Sequence, residues 1–308
     1  YYNNIDPDET VDICNTLRQR AADGQTIFYD IYTEDEKAAD PDKADTGLFY
    51  FKGDPGAKFA ICNAGGAFAY VGAMQDSFPH SLELSRKGYN AFALIYRPGA
   101  QTACEDLARA IAFVFTHAEE LEVDTSGYSL WGGSAGARMA AWLGSYGTAS
   151  FGEQAYPQPG AVIMQYTGLG EVYGNEPPTY ACVGDRDYIA DERVMRWRIE
   201  TIRSQSTPAE VEVFPGLAHG FGLGTGTPAE GWLDHAVAFW EESSSFPADS
   251  DLRHGTPVDT VETPDDFPEA YDYGTGRIED YFRPYVTAIP VRAGMQPKGA
   301  VVLMAGGA

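Results

Sequence analysis

Residues 128–143 read YSLWGGSAGARMAAWL, and this stretch decides the fold class. The apolar run 128–131 predicts a short buried strand, and residues 138–143 predict the start of a helix. Between them lies a G-x-S-x-G motif at 132–136. Ser134 therefore stands on a tight strand-to-helix corner, where a strained backbone exposes its hydroxyl above a sheet. The flanking glycines avoid a Cβ that would collide with the neighbouring strand or helix.

The composition is that of a large globular domain with an acidic surface. The 308 residues are 44% hydrophobic and 13% aromatic, which is enough for a core and excludes global disorder. Asp and Glu number 45 against 21 Lys and Arg, a net charge of −24. Such a surface repels nucleic-acid phosphates and anionic lipids. We expect a neutral small-molecule ligand, and neither nucleic-acid nor membrane partners.

Targeting and metal signals are weak. No apolar stretch reaches the ~18–20 residues that span a bilayer, so a cytoplasmic location is expected. Secretion is the alternative, because the chain opens with Tyr1 rather than Met and a signal peptide would have been removed. The four cysteines have no C-x-x-C or zinc spacing, so no metal is expected, and Cys62 and Cys182 in apolar strand-like runs are expected to be buried free thiols.

The order of predicted elements indicates an α/β protein. Strands are predicted at 26–32, 47–51, 59–62, 91–96, 128–131, 161–165, 179–183 and 211–214, and helices at 9–22, 105–121, after Ser134, 192–202 and 230–241. Leading hairpin-like strands followed by alternating strands and helices predict a mostly parallel central sheet covered by helices on both faces. Reactive groups are expected on loops at the carboxyl ends of the strands.

Partners for Ser134 follow two later strands. A serine hydroxyl needs an adjacent base that a third group orients, and after such a corner the order is Ser, acid, His. Asp185 and Asp187 follow the strand at 179–183, and His219 follows the strand at 211–214. Asp187 is favoured because it lies further beyond the strand end, while Asp185 can cap the turn; Asp185 stays the alternative.

His219 is the best of five histidines for a mobile base. It lies in a loop among small residues, whereas His117 and His235 fall in predicted helices. His254 falls in a predicted linker, and His80 follows a Phe-Pro pair that predicts a turn.

Negative charge developing on an attacked carbonyl needs preorganised donors. The N–H of Ala135 follows the serine directly. The segment 64–68, AGGAF, follows the strand at 59–62, and its glycines let N–H groups approach a substrate. The alternative is that Gly65 and Gly66 only form a tight turn.

Together these motifs resemble α/β-hydrolases, above all the hormone-sensitive-lipase-like and acetyl-esterase or xylan-esterase-like carboxylesterases. The matching motifs, within about residues 25–242, are AGGAF at 64–68, Tyr96-Arg97, Asp124, GGSAG at 132–136, Gly184-x-x-Asp187 and His219-Gly220-Phe221. Two positions depart from the family's H-G-G-G pattern: Ala64 replaces its His, which weakens support for the loop, and Ala67 replaces its third Gly.

The resemblance implies the α/β-hydrolase fold, no cofactor, and roles for six residues. Ser134 would be the nucleophile, Asp187 the orienting acid and His219 the base. The N–H groups of Gly66, Ala67 and Ala135 would form the oxyanion hole. The expected reaction is hydrolysis of a carboxylic ester through an acyl-enzyme. A serine peptidase of the same fold and a non-catalytic hydrolase-like binding module are the alternatives.

The site is expected to be open. Only 52 residues separate Ser134 from Asp187, too few for a large lid, so a cap must come from residues 1–45 or from the tail. An open site favours short acyl groups, or a bulky alcohol such as an acetylated or aromatic-acylated carbohydrate. The nearest aromatics, Phe68, Tyr188 and Phe221 together with Tyr70, would contact substrate, with core packing as the alternative.

Three regions are expected along the chain: a catalytic domain at 1–242, with 1–45 as a small cap, a linker at 243–269 and an extra segment at 270–308. Residues 287–308 align without gaps to 46–67, and both end in Ala-Gly-Gly-Ala. The extra segment is therefore interpreted as the start of a second, truncated repeat, with an unrelated hairpin as the alternative. Through it the chain would contact a tandem domain or another copy.

Overall fold

Eight strands form one sheet in the computed structural model, which describes residues 5–244. The strands are β1 (Phe28–Asp30), β2 (Gly47–Phe51), β3 (Lys58–Asn63), β4 (Asn90–Ile95), β5 (Asp124–Gly133), β6 (Ala161–Gln165), β7 (Thr179–Gly184) and β8 (Ala209–Phe214). Their order across the sheet is β1-β2-β4-β3-β5-β6-β7-β8. Only the β1–β2 and β2–β4 pairs are antiparallel, so the predicted mostly parallel sheet with a leading hairpin is confirmed.

Helices cover both faces of this sheet. They are α1 (Pro7–Ala22), α2 (Glu34–Ala39), α3 (Ala73–Asp76), α4 (Phe78–Arg86), α5 (Ala100–Thr116), α6 (Ala118–Leu121), α7 (Ala135–Tyr146), α8 (Glu192–Ser204) and α9 (Trp232–Ser243). Successive residues of β5 show the two layers: Leu130 packs into the core beneath α5, α7 and α8, and Trp131 into the core beneath α1, α4 and α9. Alternation of side chains along a strand builds both cores at once.

Several element boundaries differ from the sequence prediction. The pair Phe78-Pro79 opens α4 instead of forming a turn, because a proline in the first helical turn lacks an N–H that has no partner there anyway. His80 is therefore a helix residue. The predicted helix at 105–121 is divided at His117 into α5 and α6. β5 begins earlier than predicted because polar Asp124 pairs with Lys58 across a register shift.

The predicted linker at 243–269 lies outside the described residues apart from its first two positions, where α9 ends. The extra segment at 270–308, and with it the repeat at 287–308, lies outside them entirely. No helix between residues 5 and 244 is both long and apolar enough to cross a membrane.

The parallel strands bring the loops that follow them to one edge of the sheet. β3 and β5 end side by side, with Asn63 opposite Gly132, and β7 and β8 end together, with Gly184 opposite Phe214. The loops that leave the carboxyl ends of β3, β5, β6, β7 and β8 therefore share one rim, where sites of such sheets lie.

Candidate active site

Ser134 sits at the corner between β5 and α7 in a strained conformation, with φ 53° and ψ −114°. Its N–H donates to the backbone oxygen of Gln165 at 3.0 Å, which ties the corner to β6. A Cβ on Gly136 would lie 2.0 Å from the backbone oxygen of Asn63, and one on Gly132 would lie 2.2 Å from the backbone of Gly136. The two glycines of the motif thus allow α7 to start directly against β3 and β5.

His219 joins the serine to the acid loop. Its Nε2 lies 3.0 Å from Ser134 Oγ, and its Nδ1 lies 2.7 Å from Asp187 Oδ2. Because a carboxylate oxygen only accepts, Nδ1 carries the proton and Nε2 is left to accept from the serine hydroxyl. The structure thus brings the three predicted side chains into one hydrogen-bonded chain.

Asp187 and Asp185 have different surroundings. The second carboxylate oxygen of Asp187 accepts the N–H groups of Ile189 and Ala190, both at 2.8 Å, so its carboxylate is held by the loop after β7. Asp185 is exposed and accepts the N–H of Gly216 at 2.6 Å. The geometry therefore places Asp187 on the imidazole and Asp185 on a turn.

The loop after β3 is held by residues that follow β4, and it has unusual backbone angles. Tyr96 donates its hydroxyl to the backbone oxygen of Ala64 at 2.7 Å, and the N–H of Gly99 donates to the backbone oxygen of Phe68 at 2.8 Å. Gly66 has φ 135°, and a Cβ there would lie 2.0 Å from the backbone oxygen of Tyr70. Ala67 has φ 53°, a left-handed value that costs a side-chain-bearing residue roughly 1–2 kcal/mol.

The predicted oxyanion donors are backbone N–H groups of Gly66, Ala67 and Ala135. Within residues 5–244, no protein oxygen accepts a hydrogen bond from any of the three. Gly66 lines a cleft together with Ser134 and His219, Ala67 is exposed beside it, and Ala135 is the first residue of α7. These N–H groups are thus left for a ligand or solvent, and an Ala at 67 has kept its donor at the cost of a strained φ.

The four aromatic residues predicted to contact substrate differ in burial and packing. Phe68 is 6% exposed and stacks on Trp142, with ring centroids 6.0 Å apart, which favours the alternative of core packing. Tyr188 is 94% exposed and points to solvent after the acid loop. Phe221 packs edge-on against Tyr166 at 4.9 Å and supports the cleft from behind. Tyr70 lines the cleft.

Two residues that line the cleft belong to no recognisable sequence motif. Asp76 and Tyr166 both line the cleft, and the tyrosine hydroxyl donates to Asp76 Oδ1. Burial raises the pKa of Asp76, opposed by the hydrogen bonds from Tyr166 and from the Gly65 N–H and by the nearby His219. Burial and then Asp76 raise the pKa of Tyr166. The position of Tyr166 immediately after β6 was the one available clue, since strand ends meet at this rim.

The N-terminal segment leaves the cleft open in the described structure. α1 packs against α4, and Arg20 donates to the backbone oxygen of Lys52. Asp40 and Glu36 pair with Arg97 and Arg109. None of the residues that line the cleft comes from residues 5–45. The expected small cap therefore does not cover Ser134 in this part of the chain.

His80 is connected by hydrogen bonds to the loop that carries His219. Its ring is 1% exposed, and its Nε2 donates to Gln165 Oε1 at 2.7 Å. The Gln165 amide in turn donates to the backbone oxygen of Gly222 at 2.9 Å, three residues after His219. Burial lowers the pKa of His80 to about 4, although the bond to Gln165 opposes the shift.

This depressed pKa predicts acid sensitivity. The unfolded chain binds a proton on His80 below about pH 6.5 and the folded chain only near pH 4, so the free energy of unfolding falls as pH falls through this window. At pH 5 the loss attributable to His80 should be about 2 kcal/mol. His80→Gln, which keeps a donor for Gln165, should therefore lose less stability than wild type between pH 7.5 and 5 in urea unfolding. Equal losses in the two proteins would contradict this assignment.

Among the described residues, no group of three or more His, Cys, Asp or Glu side chains could hold a metal ion.

The chain is similar to known proteins in part of its sequence and in its fold. Residues 52–165 match the model of the BD-FAE family. No curated protein sequence matches the chain. An acetyl ester-xyloside bifunctional hydrolase from Caldicellulosiruptor lactoaceticus is 20% identical, with a TM-score of 0.61 over 70% of this chain and 95% of that one.

Two further solved structures are similar. MGS-M1, an α/β hydrolase from a Medee basin deep-sea metagenome library, is 19% identical, with a TM-score of 0.55 over 65% of this chain and 93% of its own. Esterase 2 of Thermogutta terrifontis, phosphorylated by paraoxon, is 23% identical, with a TM-score of 0.56 over 65% and 90%. At these identities the likeness concerns the fold.

Proposed function

The chain has the α/β-hydrolase fold, and on this premise we propose that it is a serine carboxylic-ester hydrolase that cleaves short-acyl esters through an acyl-enzyme. One observation carries the proposal: the unbroken hydrogen-bonded chain from Ser134 Oγ through His219 to Asp187. The same three groups in this order activate a hydroxyl in unrelated hydrolases. No cofactor is needed for such a reaction.

The proposed reaction has two half-cycles. Ser134 Oγ attacks the ester carbonyl while His219 Nε2 takes its proton, and Asp187 holds the imidazolium that forms. The N–H groups of Gly66, Ala67 and Ala135 bind the oxyanion. When the carbon–oxygen bond to the alcohol breaks, His219 returns the proton to the alcohol. Water then repeats the attack on the acyl-enzyme and releases the carboxylic acid.

The shape of the cleft supports a small acyl group. Tyr70, Gln75 and Tyr166 line it beside Ser134, and its cavity volume is about 10 Å³, far below that of drug-sized ligand sites. The alcohol part lies toward solvent, where a sugar has room. The acetyl ester-xyloside hydrolase among the similar structures adds support for an acetylated carbohydrate, and an aromatic acyl group is the next candidate.

Chain-length dependence tests this proposal. We expect the protein to hydrolyse p-nitrophenyl acetate with a kcat/KM at least about 10-fold above that for p-nitrophenyl octanoate, because each excess methylene must stay in water or strain the cleft walls. Initial rates over the acetate, butyrate and octanoate series give the measurement, and Ser134→Ala is the control. A preference for octanoate would contradict the small acyl site.

The alternatives predict other results. A serine peptidase would cleave acyl-peptide substrates and leave the p-nitrophenyl esters nearly untouched. A non-catalytic binding module would show no difference between wild type and Ser134→Ala on any ester. The intact hydrogen-bonded chain argues against the binding module, but a peptidase would use the same three groups, so these substrates decide between esterase and peptidase.

A further inference from the structure

The short helix α3 touches the loops on both sides of Ser134. Its last residue, Asp76, accepts the N–H of Gly65 through Oδ2 at 2.9 Å. The residue before it, Gln75, donates from Nε2 to the backbone oxygen of Gly220 at 2.8 Å. Gly65 directly precedes the proposed oxyanion donor Gly66, and Gly220 directly follows His219. One turn of helix therefore holds two loops whose relative position the proposed reaction must keep fixed.

The carboxyl group of Asp76 fills a space that two glycines leave free. A Cβ on Gly65 would lie 2.7 Å from Asp76 Oδ2, and a Cβ on Gly133 would lie 2.8 Å from Asp76 Cγ. Gly133 is the variable position of the G-x-S-x-G motif, so the motif does not explain a glycine there. Room for Asp76 directly behind Ser134 does explain it.

Tyr166 completes this arrangement. Its hydroxyl donates to Asp76 Oδ1, and its ring lies 5.0 Å from the ring of His219. Tyr166 has φ 33°, a value rare for a residue with a side chain, which the N–H donation to Cys182 helps to hold. Strain of this kind persists only where the surroundings over-determine it, and it clusters at functional sites.

We propose that Asp76 and Gln75 are positioning residues for this site: Asp76 sets the oxyanion loop through Gly65, and Gln75 sets the His219 loop through Gly220. The inference rests on the proposed ester hydrolysis. Oxyanion donors act only when they point at the place where charge develops, and a misplacement of about 1 Å can cost about 100-fold in rate. Neither residue touches the reacting atoms in this scheme.

A positioning role differs from a merely structural one in what it changes. A side chain that only stabilises the fold lowers the fraction of folded protein, while each folded molecule keeps its kcat. A positioning side chain lowers kcat for each competent site and leaves KM nearly unchanged, because transition-state geometry suffers more than substrate binding. Each rate must therefore be divided by the concentration of competent sites, which stoichiometric reaction with paraoxon measures.

The test measures kcat per paraoxon-titrated site, and KM, for hydrolysis of p-nitrophenyl acetate by Asp76→Ala, Asp76→Asn and Gln75→Met. We expect Asp76→Ala to lower kcat about 100-fold with KM changed by less than about 3-fold. Asp76→Asn should stay within about 5-fold of wild type, because its amide oxygen accepts from Gly65 and its NH₂ can donate to the Tyr166 oxygen. Gln75→Met, which keeps length but loses the donor, should lower kcat about 10-fold.

Several outcomes would overturn the inference. Wild-type kcat per site in Asp76→Ala removes the role of Asp76, and wild-type kcat in Gln75→Met removes that of Gln75. If Asp76→Asn is as slow as Asp76→Ala, the charge and not the hydrogen bonds matters, and the proposed positioning is wrong. Should Asp76→Ala fail to fold, Asp76→Leu, which keeps the branch at Cγ and has no acceptor, is held to the same expectation, and Gln75→Met decides independently.

Ser134→Ala separates this failure from failure of the proposed function. An inactive Ser134→Ala beside a fully active Asp76→Ala would leave the esterase intact and remove only the positioning role. Full activity in Ser134→Ala would remove the proposed function, and the positioning role with it.

Discussion

Replacement of His219 by Ala should lower kcat for p-nitrophenyl acetate by about 10⁵ to 10⁶-fold, and adding Ser134→Ala should lower it no further. The reason is the shared hydrogen bond of 3.0 Å between Ser134 Oγ and His219 Nε2. The serine is a nucleophile only while the imidazole can take its proton, so loss of either removes the same step. Steady-state rates of the two single variants and the double variant, at saturating ester, measure this non-additivity.

The two neighbouring acids supply a matched control. Asp187→Asn should lower kcat about 10⁴-fold, because an amide facing Nδ1 favours the wrong imidazole tautomer. Asp185→Asn should leave kcat within about 2-fold, because an amide oxygen can still accept the Gly216 N–H in an exposed turn. Additive losses in kcat when His219→Ala and Ser134→Ala are combined would contradict the proposed roles. So would a larger loss in Asp185→Asn than in Asp187→Asn.

Gly136→Ala should lower the free energy of unfolding by more than about 4 kcal/mol, or prevent folding. The added Cβ would lie 2.0 Å from the backbone oxygen of Asn63 and 2.5 Å from its carbonyl carbon. Both are main-chain atoms of β3, whose register with β5 would have to break before they could move. A methyl group cannot be placed there by turning a side chain. Urea unfolding followed by tryptophan fluorescence measures the loss.

Gly168→Ala is the control for this substitution. A Cβ there would meet its nearest atom at 3.7 Å, an ordinary van der Waals contact, so its stability should stay within about 1 kcal/mol of wild type. If the free energy of unfolding of Gly136→Ala equals that of Gly168→Ala, α7 does not lie as close to β3 as described.

The sequence alone determined the fold class and the order of its elements. Residues 128–143 predicted strand, corner and helix, because apolar periodicity and a glycine on each side of a serine report local backbone geometry. The alternation of later strands and helices predicted the parallel sheet. Parallel strands end at one edge, so the loops that carry Asp187 and His219 could be assigned to one rim without coordinates. Their roles in catalysis remain our proposal.

Only the tertiary structure decided which side chains meet at that rim. The choice between Asp185 and Asp187, two residues apart, depends on where one loop turns relative to His219. Phe68 became a core residue because Trp142 on α7 covers it. The surroundings of Asp76 come from segments 11, 57 and 90 residues away, at Gly65, Gly133 and Tyr166. Local patterns specify a backbone, whereas burial and pairing of single polar groups depend on contacts between distant segments, which one sequence does not display.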